Sequence, residues 1–287
     1  MQLPAPQQES GVVALDGKVY IVGGLGVGFA LMAEVNRFDP VSGQWTAVRP
    51  LPRPLHHVNV AAAGGKLYAI GNLEGGNFTA RGDTLEYDPS TDQWTARAPL
   101  PTGTERGGSA VGVIGGEVFI AGGLRNGSAV TQFSAYNPGN NQHRMLPPLP
   151  MATEHVVGGA VGTRFFVIGG RNGGIRSVTN RVQVFDTTTD QWSAGPDLPT
   201  ARGGHAAAVV DARIVVMGGE GNPAASTGVF SQTEIFDTSS MTWVTGAPMA
   251  TPRHGMGAAT VGNVVYVPGG GTSEGLRPVA TVEAYVP

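Results

Sequence analysis

Few side chains in this sequence could carry acid–base or ionic chemistry. Charged residues make up 14% of it, there are six histidines, and there is no cysteine. The missing cysteine excludes thiolate nucleophiles, disulfides and Cys-held metals. No Walker, His-Glu-x-x-His or Gly-x-Ser-x-Gly pattern occurs. Gly24-Leu25-Gly26-Val27-Gly28 looks like a phosphate loop but lacks the strand-to-helix setting that such a loop needs. His56 and His57 are adjacent, and neighbouring strand residues point to opposite faces, so the pair offers a metal at most one ligand. No metal site and no cofactor are expected.

What remains is a pattern in two columns, two residues apart, that recurs six times. The first column reads Gln7, Leu55, Arg106, Thr153, Arg202 and Arg253, and the second reads Glu9, His57, Gly108, His155, Gly204 and Gly255. Wherever the first is Arg, the second is Gly; elsewhere the second is Glu or His. On an extended chain both positions face the same way. Each unit would then send one large polar group to a common place: Glu9, His57, Arg106, His155, Arg202 and Arg253. Histidine and glutamate there suit proton transfer near neutral pH. Three arginines against one glutamate favour an anion, held by paired charge-assisted bonds to carboxylate or phosphate. The competing reading has these groups bracing loops against neighbouring carbonyls.

The elements that would position these columns also repeat. Each unit opens on a Leu-Pro-type turn and continues into a strand of small residues, such as Ala206-Ala207-Ala208 or Gly257-Ala258-Ala259. A tight turn such as Asp16-Gly17 or Gly115-Gly116 leads into an apolar strand that ends in Gly-Gly. The glycine pairs are Gly23-Gly24, Gly122-Gly123, Gly169-Gly170, Gly218-Gly219 and Gly269-Gly270, with Gly71-Asn72 in the second unit. A variable loop follows, then an aromatic anchor: Phe38, Tyr87, Tyr136, Phe185, Phe236 and Tyr285, spaced 49 to 51 residues apart. Trp45, Trp94, Trp192 and Trp243 come seven residues after an anchor, with His143 in that slot in the third unit. Six such units resemble the Kelch repeat over essentially the whole chain.

The resemblance implies an all-β fold: one domain, residues 1–287, forming a six-bladed propeller of four-stranded antiparallel blades around a channel. Small first strands fit where six sheets converge, and the aromatic residues are expected between blades. The chain ends just after the sixth anchor, so the sixth blade is expected to lack a full outer strand, as in a trimmed chain or one closed by a stub. In propellers of this type the loops before each first strand and after each Gly-Gly share one face. The second set places Glu74, Arg125, Arg171, Arg176 and Glu220 at the periphery of the site. His205 shares its register position with Val58 and Val156, which fits a structural histidine, and His254 is placed in a loop. Two sequons, Asn77-Phe78-Thr79 and Asn126-Gly127-Ser128, also fall in loops.

Net charge is −3 with no basic stripe, so nucleic acid is not an expected partner. No leader-like or membrane-spanning run is present, and a soluble monomer of unassigned compartment is expected. Among Kelch enzymes, the galactose-oxidase type needs a Tyr–Cys cross-link that this chain cannot make. The nitrile-specifier type needs Glu, Asp and His at spacings of four, which do not occur. The sialic-acid mutarotase type is similar in fold and blade number only. The leading expectation is a binding module that takes a protein segment or an acidic small molecule on the loop face. The alternative is a cofactor-free carbohydrate-active enzyme in which Glu9, His57 or His155 moves protons. A third is a purely structural propeller. Glu9 and both histidines buried together at one pocket would favour catalysis; splayed into solvent they would favour binding.

Overall fold

The computed structural model describes residues 1–287. It is all-β apart from a single 3-10 turn at Val27–Phe29. Five blades are four-stranded antiparallel meanders, such as blade 1 with Gly11–Leu15, Lys18–Leu25, Leu31–Asp39 and Gln44–Val48. The sixth has three strands, Ala259–Val261, Val264–Pro268 and Val282–Tyr285. Residues 1–3 take its outer position as a stub: Val282 N–H donates to Met1 O (3.1 Å) and Leu3 N–H to Ala280 O (2.7 Å). Leu3 is buried against Ile21 and Val282, which ties blade 6 to blade 1.

Sterics at the axis explain the small first strands. A Cβ on Gly257 would stand 2.7 Å from Val12 Cβ, and one on Gly112 would stand 2.8 Å from the Phe165 ring. Such distances are inside van der Waals contact, so the innermost strands cannot carry bulk where blades converge. The second strands are buried on both faces and read as continuous apolar runs, such as Phe165-Phe166-Val167-Ile168.

The anchors fill the seams between blades as expected. Tyr20 meets Tyr87 (6.1 Å between centroids), Tyr68 meets Tyr136 (5.6 Å), Phe166 meets Phe236 (5.7 Å), and Tyr266 of blade 6 closes on Phe38 (5.7 Å). Each Trp packs on the anchor across its own sheet, as Trp243 does on Phe236 at 4.8 Å. Three also tie back to the preceding blade: the indole N–H groups of Trp94, Trp192 and Trp243 donate to Arg49 O, Pro147 O and Pro196 O. His143 makes the matching contact with Ala98 O (2.9 Å).

The second glycine of each Gly-Gly pair aims its N–H at the carbonyl of the next blade's first-column residue. Gly24 donates to Leu55 O (2.8 Å), Gly219 to Arg253 O (2.8 Å) and, across the ring closure, Gly270 to Gln7 O (2.8 Å). A Cβ at Gly24 would sit 2.6 Å from Gln8 O, with φ at +116°, so only glycine fits this approach.

Candidate functional site

The first column does not reach the channel mouth. Arg106, Arg202 and Arg253 are fully buried and fold back into their own blades. Arg106 donates to Thr104 O, Ile120 O and Ser134 Oγ. Arg202 pairs with Glu234 at 2.6 Å and donates to Val216 O. Arg253 donates to Val267 O, Gly269 O and Thr281 O. These arginines are braces between strands, and the anion-binding ring built on them is corrected accordingly. The physical reason lies at the second column, where every residue has a positive φ: 55° at Glu9, 51° at His57, 46° at His155, and 58–62° at Gly108, Gly204 and Gly255. The left-handed kink turns the two columns apart, so the extended-chain assumption fails there.

The second column does converge. Its backbone circles the axis, with Glu9 N–H donating to Gly255 O, His57 to Glu9 O, Gly108 to His57 O, Gly204 to His155 O and Gly255 to Gly204 O, at 2.6–2.9 Å. Three side chains project from this ring, from blades 1, 2 and 4, and three glycines leave them room. A Cβ on Gly255 would stand 2.4 Å from Glu9 Oε1.

The three side chains meet. His57 Nε2 lies 2.8 Å from His155 Nε2 and 3.2 Å from Glu9 Oε2. Around them stand groups from the column between the two, and from the loops after Gly-Gly. Glu154 bonds His155 Nδ1 and accepts from Arg171 Nε at 2.6 Å. Arg171 also donates to Glu220 and reaches His155 Nε2 at 2.9 Å. His254 Nδ1 lies 3.2 Å from Glu220 Oε2, yet that oxygen and both His254 nitrogens are buried without a hydrogen-bond partner. Burial holds His57 well below the ordinary histidine range, so it is neutral at pH 7. Burial alone would raise the Glu9 carboxyl, but its surroundings, the Arg171 guanidinium among them, outweigh burial and lower it to about 2, so Glu9 is ionised. The ligand-capable atoms of Glu9, His57 and His155 all lie within 4.8 Å of one another, a donor set that could hold a metal.

Above this polar floor is a cavity of about 200 Å³, walled by Leu25, Phe29, Phe78, Ile175 and Leu276. Phe29 and Phe78 have φ of 67° and 57°, and their rings lie 6.1 Å apart. Twelve non-glycine residues have positive φ, and five of them (Glu9, Phe29, His57, Phe78 and His155) line this one cavity. Six of the other seven are Asp or Asn, residues that tolerate this region in turns. Strained backbone of this kind at bulky residues clusters at functional sites.

The remaining residues sort by position. Arg171 and Glu220, read as peripheral, are central. Glu74 is peripheral, paired with Arg81 (2.6 Å) and Arg53 (3.2 Å). Arg125 lies in a short hairpin with Ser128, away from the cavity. Arg176 pairs with Glu274 on the surface. His205 is buried with Nε2 on Ile168 O, in keeping with a structural role. His254 is an interior member of the cluster rather than a free loop residue. Glu154, His254 and Gln8 share the middle column, Gln8, His56, Gly107, Glu154, Gly203 and His254, which bridges residues just after the Gly-Gly turns. Aligning that third column would have exposed them.

Six radial blades with a buried polar floor at the axis define a Kelch-type propeller. The family comparison agrees: the KLHDC2/KLHL20/DRC7 Kelch-repeats domain matches residues 154–281, and the Kelch motif matches residues 9–52 and 105–150. The chain belongs to the Kelch-repeat β-propellers. Kelch-like protein terF of Aspergillus terreus is 33% identical over 297 residues, covering 98% of this chain and 65% of the relative. Kelch-like protein 35 of Mus musculus is 31% identical over 194 residues, and Kelch-like protein 34 of Homo sapiens 28% over 259. The chain spans 65% of the fungal relative's length and about a third of each mammalian one (32% and 33%). The solved structure of YjhT superposes with a TM-score of 0.82 at 16% identity, covering 100% of this chain and 96% of its own, and shows the fold alone.

Proposed function

We propose that the chain is a small-molecule propeller whose working site is the cavity at the channel mouth, and that it acts on its ligand by proton transfer rather than only holding it. The observation that carries this reading is the meeting of buried His57 and His155 with the half-buried Glu9 at the floor of one cavity. Their carboxylate and imidazole atoms are placed to accept a proton from a ligand seated on the floor. The walls of Phe29, Phe78, Ile175 and Leu276 suit a ligand with an apolar or aromatic body whose polar head meets the floor. An acidic head fits poorly, since Glu9, Glu154 and Glu220 stand against a single guanidinium, Arg171, already held by two of them. This shifts the preferred ligand away from acidic molecules.

A partner protein segment on the same face is the second reading. It draws support from Val27 and Leu31, exposed hydrophobics that flank Phe29 at the rim.

A thermal-shift screen with small aromatic alcohols and ketones, with acidic peptides as the competing arm, tests the proposal. Small compounds should raise the melting temperature of the protein but not of a Phe78→Ala variant. Stabilisation by peptides alone, unchanged in Phe78→Ala, would overturn it.

A further inference from the structure

We infer that Glu9, His57 and His155 form a binding site for one divalent first-row metal ion, of the Zn²⁺ type, at the floor of the cavity. The inference rests on the reading of that cavity as the working site.

A hydrogen-bond chain fixes the ring tautomers. Gly75 O can only accept, so His56 Nε2, 3.1 Å away, carries a proton. The neutral His56 ring then has a bare Nδ1, which must accept from His57 Nδ1–H at 2.7 Å. That leaves the His57 Nε2 lone pair bare. On the other side, Glu154 accepts from His155 Nδ1–H, which makes His155 Nε2 an acceptor, met by Arg171 Nη2 at 2.9 Å. Two lone pairs therefore face each other at 2.8 Å with a carboxylate oxygen 3.2 Å from one of them. Arg171 Nη2–H serves one of these acceptors, His155 Nε2, at 2.9 Å, while His57 Nε2 and Glu9 Oε2 face each other with no such donor, a gap that a cation would fill.

The donors fit such an ion. Two imidazole nitrogens and one carboxylate are a donor set for zinc or its neighbours, and three protein ligands leave positions open for water or substrate. Ligands bound at about 2.0–2.2 Å to one ion stand about 3 Å apart when roughly at right angles, as His57 Nε2 does from His155 Nε2 (2.8 Å) and from Glu9 Oε2 (3.2 Å); Glu9 and His155, within 4.8 Å, would draw together on binding. The Glu154–His155 pair is the carboxylate–histidine arrangement that orients a metal-binding imidazole and raises its basicity.

Charge points the same way. Glu9, Glu154 and Glu220 carry three negative charges, Arg171 one positive, and one divalent ion brings the cluster to neutrality. Independently, Glu220 Oε2 and both nitrogens of His254 are buried, unpartnered, and line the same cavity. They are placed to bond a water or ligand head bound at the ion. Arg171 is the competitor: its Nη2 lies 2.9 Å from His155 Nε2. Its anchors on Glu154 and Glu220 allow that single contact to swing aside as the ion enters.

The test uses tag-free, chelator-stripped protein titrated with Co²⁺ and Zn²⁺, read by retained metal per chain and by Co²⁺ visible absorption. One equivalent should be retained. Glu154→Gln should weaken affinity by about 10–100-fold, and His57→Ala and His155→Ala should weaken it by more. If either alanine variant fails to fold, Glu9→Gln carries the comparison. No uptake, or uptake unchanged in His155→Ala and Glu9→Gln, overturns the inference. Parallel thermal-shift runs with aromatic alcohols on stripped and loaded protein keep the two readings apart. Compounds that stabilise a protein taking up no metal sink the metal site and spare the cavity. Metal uptake without any stabilising compound does the reverse.

Discussion

His57 and His155, 98 positions apart in the sequence, bring their Nε2 atoms to 2.8 Å across the channel mouth. Blade 3 lies between the blades that carry them, and it contributes Gly108 where the others contribute histidine. The pair is therefore made by a gap as much as by two side chains. A Cβ at Gly108 would stand 3.4 Å from His57 Cδ2, ordinary contact, whereas one at Gly255 would stand 2.4 Å from Glu9 Oε1. Both glycines have φ near 60°, so alanine at either costs about 1–2 kcal/mol in backbone strain. Gly108→Ala should show that cost and little else. Gly255→Ala should also push the Glu9 carboxylate away from His57 and impair ligand or metal binding. Chemical denaturation paired with the binding assay separates the two outcomes; equal binding in both variants would show that Glu9 placement is unimportant.

The buried arginines predict stability changes without binding changes. Arg202 has no solvent exposure and holds Glu234 at 2.6 Å. Removing one member of a buried ion pair leaves the other uncompensated, which costs about 3–5 kcal/mol. Arg202→Ala should lose stability on that scale in urea unfolding while the cavity keeps its ligand. Arg202→Lys should recover little, because a point charge cannot serve Glu234, Thr200 O and Val216 O together. A loss of binding without a loss of stability would return Arg202 to the site.

Much of this fold is legible in the sequence, because its physics repeats. The anchors from Phe38 to Tyr285 and the small inner strands answer the same steric demand six times, and the Gly-Gly turn does so five times, with Gly71-Asn72 in the remaining unit. The site breaks that repetition, and only part of it can be read. Glu9, His57 and His155 stand out because they replace glycine at a left-handed position. The arginine column misleads, because the left-handed kink at the second column turns Arg106, Arg202 and Arg253 back into their blades, away from the mouth that Glu9, His57 and His155 reach. Glu154 and His254 stand in the column between the arginine column and the Glu/His column, and only the six-fold alignment of that third column marks them, since its bridges to Arg171 and Gly271 cross the blade. Phe29 and Phe78 lie in loops of unequal length, where no periodicity applies.

Phe78 offers a test in which stability and function move apart. Its ring packs edge-on to His56 (4.8 Å) and His57 (5.4 Å) while its backbone sits at φ 57°. Glycine at 78 relieves the strain and removes the wall. Phe78→Gly should therefore lose affinity for aromatic ligands while folding stability changes by no more than about 1 kcal/mol. Phe78→Ala should lose affinity equally and be less stable than the glycine variant. Calorimetric titration with thermal unfolding of both variants checks the ordering; a glycine variant less stable than the alanine one would mean that the loop is not strained at 78.

His205 sets a pH dependence whose sign can be worked out. Burial, helped by the Arg202 charge, lowers its pKa to about 3, while the bond to Ile168 O opposes the shift only weakly. In the unfolded chain it titrates near about 6.5. Between those values the unfolded state holds a proton that the folded state refuses. Stability from this residue is thus complete above about pH 6.5 and falls as pH drops toward about 3, by about 1.4 kcal/mol per pH unit. His205→Gln keeps an amide N–H for Ile168 O and cannot titrate. Urea unfolding across this range should show the acid limb of the variant shallower by about one proton. Equal slopes in the two proteins would mean that His205 takes up its proton in the folded state, through an opening of the blade 4–blade 5 seam.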